Sequence, residues 1–162
     1  MPLIENTPLK KSSFVVAVLL LLAPAAHAGL NDPIPTPFTK HVFSVPGFIN
    51  DGLVTVISCS SALSTSVNVG VEWFRKDGTS IGVSSLTIPA GATRNFGTAS
   101  VLSLPINSQM PGGETVKSGA ARVLSTTTKG LLCNAFVLDP DNDPPTRMMQ
   151  LLVTKGKAQK GE

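Results

Sequence analysis

The chain has 162 residues, of which 14% are charged and 5% aromatic, and its formal net charge at pH 7 is +3. This length holds one domain with a buried core and leaves no room for a second domain of comparable size. The charge is too small to indicate a nucleic-acid partner, because domains that bind phosphate backbones carry a larger basic excess.

The first 28 residues have the pattern of a cleaved export signal. Lys10 and Lys11 precede an apolar run from Phe14 to Ala23, which is long enough for the hydrophobic part of a signal peptide and too short to span a bilayer. Ala26 and Ala28 supply small residues at the two positions that a signal peptidase reads. We expect cleavage after Ala28, export to the periplasm or the exterior, and no membrane span in the remaining chain.

Two segments flank the predicted domain. Residues 29–38 contain Pro33, Pro35 and Pro37, which disfavour both a helix and a central strand, so we expect an extended lead-in. In residues 155–162, lysines alternate with Gly, Ala and Gln, and no apolar side chain is present to anchor a strand. This pattern is typical of a disordered basic tail.

Residues 39–154 are predicted to form one all-β domain. Short runs rich in β-branched residues recur between Gly, Pro, Asp and Ser, and almost no segment has the period of an amphipathic helix. In chain order, the predicted strands cover residues 53–59, 66–74, 80–88, 92–97, 120–126, 131–138 and 147–154, with a weaker strand over 99–106. The alternation is clearest in 66–74, where apolar side chains including Trp73 face one way and polar ones the other.

Cys59, Trp73 and Cys133 have the spacing of the two cysteines and the tryptophan of immunoglobulin-like domains, and the chain resembles that family from Thr39 to Thr154. The turn from Leu86 to Thr93 is similar to turns in immunoglobulin-like and fibronectin-III-like domains of exported bacterial proteins. The resemblance implies a single antiparallel β-sandwich of about seven to nine strands. It also implies that Cys59 and Cys133 bridge the two sheets and that Trp73 packs in the core beside them.

The two cysteines are expected to form a structural bridge on other grounds as well. An exported protein meets oxidising conditions, and a single pair permits one intramolecular disulfide. No C-x-x-C spacing is present to lower the pKa of either thiol, which disfavours a redox or metal pair.

The sequence offers little for catalysis. After cleavage the one remaining histidine is His41, and it lies outside any nucleophile motif; the G-x-S-x-G, H-E-x-x-H and P-loop patterns are absent. One histidine and two bonded cysteines cannot supply a zinc site. We therefore expect no enzymatic activity, no cofactor and no metal, and we interpret His41 as an ordinary strand residue.

Asp139, Asp141 and Asp143 stand at alternate positions, as the first three ligands of a calcium loop do. Pro144 takes the place of the required glycine, and Gln150 takes the place of the bidentate glutamate. A solvated turn is therefore favoured over a calcium site.

The aspartates are nevertheless the predicted polar contacts of any partner. If each turn reverses the chain, the loops at 60–65, 89–91, 107–117 and 139–146 lie at one end of the domain. The turns at 75–79 and 127–130 then lie at the other end. The first end collects the longest loop and the acidic triplet, and sandwiches commonly build binding surfaces from such loops.

The leading functional expectation is an exported, non-catalytic β-sandwich that serves as a structural or protein-interaction module, with another envelope or extracellular protein as partner. The alternative is a ligand-binding domain for calcium or a saccharide. Saccharide sites in sandwiches use exposed rings, for which Phe74, on the face opposite Trp73, is the candidate. Exchange of an arm over Pro33–Val45 ranks third.

Overall fold

The computed structural model describes residues 29, 30 and 32–156, and these form an all-β fold, as predicted. Its ten strands in chain order are β1 (Lys40–Asn50), β2 (Val54–Ser61), β3 (Val67–Arg75), β4 (Ser80–Ile88), β5 (Thr93–Gly97), β6 (Ser108–Gln109), β7 (Val116–Ser125), β8 (Leu131–Leu138), β9 (Met148–Leu151) and β10 (Thr154–Lys155). A short 3-10 turn lies at Pro111–Gly113.

The strands form two groups that meet at one corner. The β3 group has the order β4-β3-β7-β1, with β10 also on β1, and the β8 group has the order β9-β8-β2-β5-β6. A single residue pair, Asn50 with Val54, joins the groups. Between these residues the chain turns sharply through Gly52, whose φ of 66° favours glycine. All pairings are antiparallel except that of β5 with β6.

Side chains from both groups pack into one hydrophobic core. Its fully buried members include Val45, Trp73, Ile57, Phe96 and Ala135. The rings of Phe48 and Trp73 meet edge to face, with centroids 5.2 Å apart. The Trp73 Nε1 donates a hydrogen bond of 2.8 Å to the Ser84 Oγ, which satisfies the one polar atom of the indole. Trp73 is thus a core residue that is held in a defined orientation.

Cys59 and Cys133 are bonded, with a distance of 2.11 Å between their sulfur atoms. They lie directly opposite each other on the paired strands β2 and β8, and their Cα atoms are 4.2 Å apart. The predicted bridge between two sheets is therefore wrong, because the disulfide links neighbouring strands of the β8 group. The spacing of cysteines along a chain does not determine which strands become neighbours.

The predicted strand over residues 99–106 is also wrong. These residues form bends, and the next strand is the two-residue β6, which pairs in parallel with β5. The apolar side chains Val101, Leu104 and Ile106 pack on a second small cluster around Val54 and Val56 instead. Their alternation resembles a strand because a loop that lies against a sheet also buries some of its side chains and exposes others.

The predicted signal, residues 1–28, lies outside the described residues, and so do residues 157–162 of the predicted tail. The described part of that tail begins in a strand, since Lys155 of β10 pairs with Phe43 of β1. Among the residues that the structure describes, no helix is long and apolar enough to cross a membrane.

Candidate interaction surfaces

One outer side of the β3 group is covered by the N-terminal segment, here called the strap, which comprises the described residues 29, 30 and 32–39. Arg122 on β7 is 1% exposed beneath it. The Arg122 guanidinium donates hydrogen bonds to the main-chain carbonyls of Leu30, Asp32 and Pro33, at 3.2, 2.7 and 3.1 Å. The strap is thus bound through its backbone by one buried cation.

Glu72 balances the charge of Arg122 beneath the strap. The two residues lie opposite each other on β3 and β7, and the Arg122 Nε donates a hydrogen bond of 2.8 Å to the Glu72 Oε2. The Ser80 hydroxyl donates to the Glu72 Oε1 at 3.0 Å. A buried ion pair is tolerated only when its remaining donors and acceptors are also satisfied. The strap carbonyls supply those acceptors, so the strap helps to satisfy the buried ion pair.

Phe74, predicted to present an exposed ring, is 1% exposed, so that prediction is wrong. The guanidinium carbon of Arg122 lies 5.4 Å from the centroid of its ring. Nearby, Phe38 of the strap packs over Gly70, where an added Cβ would come within 2.6 Å of the Phe38 ring. The alternation in β3 places Phe74 opposite Trp73, but it cannot reveal that a distant segment covers that second side.

The edge of the β8 group is exposed and apolar. We call it the β9 edge, defined as β9 (Met148–Leu151) with the adjoining Leu152. The side chains of Met148, Met149 and Leu152 are 64%, 56% and 68% exposed. Within the described residues β9 pairs with β8 alone, so its second side offers unpaired backbone groups. Free strand edges and exposed apolar patches both favour contact with other polypeptides.

The structure separates the three predicted aspartates. Asp139 is buried, and its Oδ2 accepts hydrogen bonds from the backbone N–H groups of Thr146 (2.9 Å) and Arg147 (3.1 Å) and from the Thr146 hydroxyl. These bonds, above all the one from the Thr146 hydroxyl, lower the pKa of Asp139. Asp141 and Asp143 are exposed. Asp139 therefore organises its own loop.

No metal centre emerges from this loop or from the rest of the described chain. In residues 29, 30 and 32–156, no group of three His, Cys, Asp or Glu side chains is arranged to hold a metal ion.

The predicted assignment of loops to ends is wrong for the loops that follow residue 106, whereas the loops at 60–65 and 89–91 share one end, opposite the 75–79 turn, as predicted. On β2 and β8, Ser61 pairs with Leu131 and Val54 with Leu138, so the loop that follows β8 lies far from the loop that follows β2. The turn at 127–130 instead adjoins the end of β2, where the Ala62 N–H donates to the Gly130 carbonyl. The aspartate loop shares its end with the 75–79 turn, as shown by the pairs Asn50–Val54, Asn50–Val116 and Arg75–Gly119.

The reason for the difference is the segment over residues 99–106, which is a loop and not the predicted strand. Counting it as a paired strand adds one reversal of the chain, which inverts the end predicted for every later loop. The segment instead begins and ends near the same end of the domain, since Ser108 of β6 pairs with Phe96 of β5 and the Leu102 N–H donates to the Pro140 carbonyl.

The His41 ring contacts residues of its own strand, β1. Its Nε2 lies 2.9 Å from the Ser44 hydroxyl and 3.0 Å from the Phe43 carbonyl oxygen. An N–H that donates to the carbonyl leaves this nitrogen no lone pair with which to accept the hydroxyl proton. Burial, followed by the nearby Arg122 charge, lowers the pKa of His41, so the ring is neutral at pH 7.

No known protein family and no curated protein matches the sequence. The crystal structure of Thermotoga maritima 1070 is similar with a TM-score of 0.48 and 13% sequence identity, over 78% of this chain and 99% of that chain. This similarity is too weak to transfer a family or a function.

Proposed function

We propose that the chain is an exported, non-catalytic β-sandwich that serves as a protein-interaction module of the cell envelope or exterior. The observation that carries the proposal is the β9 edge, where unpaired backbone groups and exposed Met148, Met149 and Leu152 occur together. A strand of a partner can pair with such an edge while its side chains cover the apolar surface. Methionine suits this role because its flexible side chain adapts to different partner surfaces.

Export is supported by two features. Residues 1–28 have a basic start, an apolar run and small residues before the expected cleavage site. The disulfide between Cys59 and Cys133 indicates an oxidising compartment, since reducing compartments keep such thiols free. The expected partner is another envelope or extracellular polypeptide.

The saccharide alternative has less support, because the Phe74 ring is 1% exposed. The calcium alternative also has less support, because the Asp139 Oδ2 accepts hydrogen bonds from within its own loop, which leaves only Asp141 and Asp143 exposed.

The proposal is tested by crosslinking in the native envelope with the variant Met148→Lys/Leu152→Lys. Two ammonium groups on the β9 edge oppose burial against a partner, so we expect the crosslinked species to disappear. Leu102→Lys is the matched control, because Leu102 is 70% exposed and lies outside the β9 edge. Equal crosslinking in both variants would contradict the proposed surface.

Hydrolase and glycosidase screening of the purified protein tests the non-catalytic part of the proposal. We expect no turnover, with or without divalent metals. A turnover that His41→Ala abolishes would overturn the proposal.

A further inference from the structure

A cleft of about 670 Å³ opens where the strap, the start of β1 and the start of β8 come together. Its apolar lining includes Ile34 of the strap, Val42 and Phe43 of β1, and Leu131 and Leu132 of β8. Val42 and Leu131 are buried, whereas Leu132 is 66% exposed. The cleft thus offers an apolar surface that is continuous from the edge of the core to the solvent.

The charge at this cleft has one sign. Lys40 and Lys155 line it and are exposed, and the described residues of the lining include no aspartate or glutamate. The third ionisable group of the lining, His41, is kept neutral at pH 7 by burial and the nearby Arg122 charge, which lower its pKa. The positive charge therefore comes from the two lysines, whose long stems let the ammonium groups stay in water beside an apolar surface.

The position of Lys155 is fixed by the strand that carries it. Lys155 lies opposite Phe43 in the pairing of β10 with β1, and the next residue, Gly156, donates its N–H to the Val42 carbonyl at 2.7 Å. A side chain at Gly156 would clash with the His41 carbonyl, so glycine is what allows β10 to lie directly against β1. The lysine is thereby placed beside the cleft by backbone hydrogen bonds.

We infer that this cleft binds a free medium-chain fatty acid, with its alkyl chain on Ile34, Phe43 and Leu132 and its carboxylate paired with Lys40 and Lys155. The volume lies in the range of roughly 300–1,000 Å³ that is usual for small-molecule sites. An apolar cleft with cations alone at its polar rim complements an amphiphile whose head is anionic. The inference goes beyond the proposed protein-interaction role and does not depend on the β9 edge.

The experiment compares two probes with the same alkyl chain, decanoate and decyltrimethylammonium, by titration calorimetry with the mature chain at neutral pH and low salt. We expect saturable binding of decanoate and weaker binding of the cation. In Lys40→Glu/Lys155→Glu the preference should invert, with decanoate weakened roughly tenfold, since each exposed ion pair contributes a factor of a few. Lys117→Glu is the matched control, because Lys117 is exposed and does not line the cleft; it should change neither affinity.

Leu132→Gln tests the apolar half of the site without endangering the fold, because Leu132 is largely exposed. It should weaken both probes several-fold and leave the melting temperature unchanged. The inference is overturned if the unmodified chain does not bind decanoate saturably, or if Lys40→Glu/Lys155→Glu binds it unchanged. It is also overturned if phosphatidylglycerol vesicles bind and free decanoate does not, which would indicate a membrane surface as the source of the anion.

Discussion

The two strand groups meet the solvent in opposite ways. On the side of β3 and β7 that faces away from the shared core, Glu72, Phe74 and Arg122 are almost fully buried, and the strap carbonyls bind Arg122 there. On β8 and β9, Leu132 and Met148 are more than half exposed. Charged residues are therefore buried on one side and apolar residues exposed on the other. Burial in this molecule follows from which segment is available to cover a strand, and polarity alone does not decide it.

The strap explains why buried charges are tolerated on the outer side of β3 and β7. An arginine has five N–H donors and no acceptor, so its burial needs several oxygen partners with suitable directions. The Glu72 carboxylate and three strap carbonyls supply them for Arg122. The β9 edge has no comparable cover within the described residues, and its apolar side chains suit a surface that a partner covers.

The largest expected effect concerns the β8 group, in which the disulfide crosslinks β2 and β8. Cys59→Ala/Cys133→Ala should lower the free energy of unfolding by about 4–5 kcal/mol, because the lost crosslink spans 74 residues and the unfolded chain regains the corresponding entropy. Urea unfolding followed by Trp73 fluorescence measures the change. Reductant should shift the midpoint of the parent protein and leave that of the variant in place; a reductant effect on neither would contradict the prediction.

Arg122→Met should destabilise the β3 group, because it removes the buried ion pair beneath the strap. This change leaves the Glu72 carboxylate buried without its cation and should lower the free energy of unfolding by about 3–5 kcal/mol. The control is Arg75→Met, which removes a partly exposed ion pair of 2.7 Å with Glu114 and should change it by less than about 1 kcal/mol. Thermal unfolding of both variants is the measurement. Equal losses in the two variants would show that the buried ion pair contributes no more to the free energy of unfolding than the exposed one. Adding Glu72→Gln to Arg122→Met should recover part of the lost stability.

A smaller effect is expected at the contact between the strap and β3. The new methyl group in Gly70→Ala would collide with the Phe38 ring, which should cost about 1–3 kcal/mol and displace the strap rather than the strand. Limited proteolysis should then cleave within residues 29–39 faster than in the parent protein. Adding Phe38→Ala removes the collision, so the effects of the two substitutions should not add. Unchanged cleavage in Gly70→Ala would be inconsistent with this packing.

The smallest effect is a pH dependence at the aspartate loop. Hydrogen bonds from Thr146 and Arg147 lower the pKa of Asp139 below the usual 3.8, so below that value the unfolded chain takes up its proton first. The stabilisation is complete above the usual pKa and is lost as the pH falls through the lowered one. Melting temperatures of Asp139→Asn should lie below those of the parent at neutral pH and converge with them in acid. Asp141→Asn, at an exposed position, should follow the parent throughout.

Local pattern predicted much of the fold. The alternation and flanking turns of β4 and β8 gave their bounds at 80–88 and 131–138, and the cysteine pair was predicted from its chemistry. Strand pairing was less accessible, because hydrophobic alternation specifies which side of a strand is buried and carries no information about its neighbour. The partners of Cys59 and the parallel placement of β6 are both properties of pairing.

The candidate surfaces were harder still to predict. The cleft combines Ile34, Phe43, Leu132 and Lys155, which no motif connects and which lie far apart along the chain. The burial of Arg122 depends on strap carbonyls about ninety positions earlier. One signal was available: an arginine within the otherwise uncharged run from Ser118 to Thr128 suggests a buried partner, although the sequence cannot say that the partner is a backbone segment.

The long separation between the strap and Arg122 has a consequence for the order of assembly. A ribosome produces the strap and β1 long before β7, and the β7 residues that bind them lie 66 to 92 positions later in the chain. Contacts of such long range slow folding, since a large loop must close before any of them forms. Until then, Pro33, Pro35 and Pro37 disfavour pairing of the strap as a strand with a wrong neighbour. The first part of the domain to be synthesised can therefore bind its buried partner only after β7 has been made.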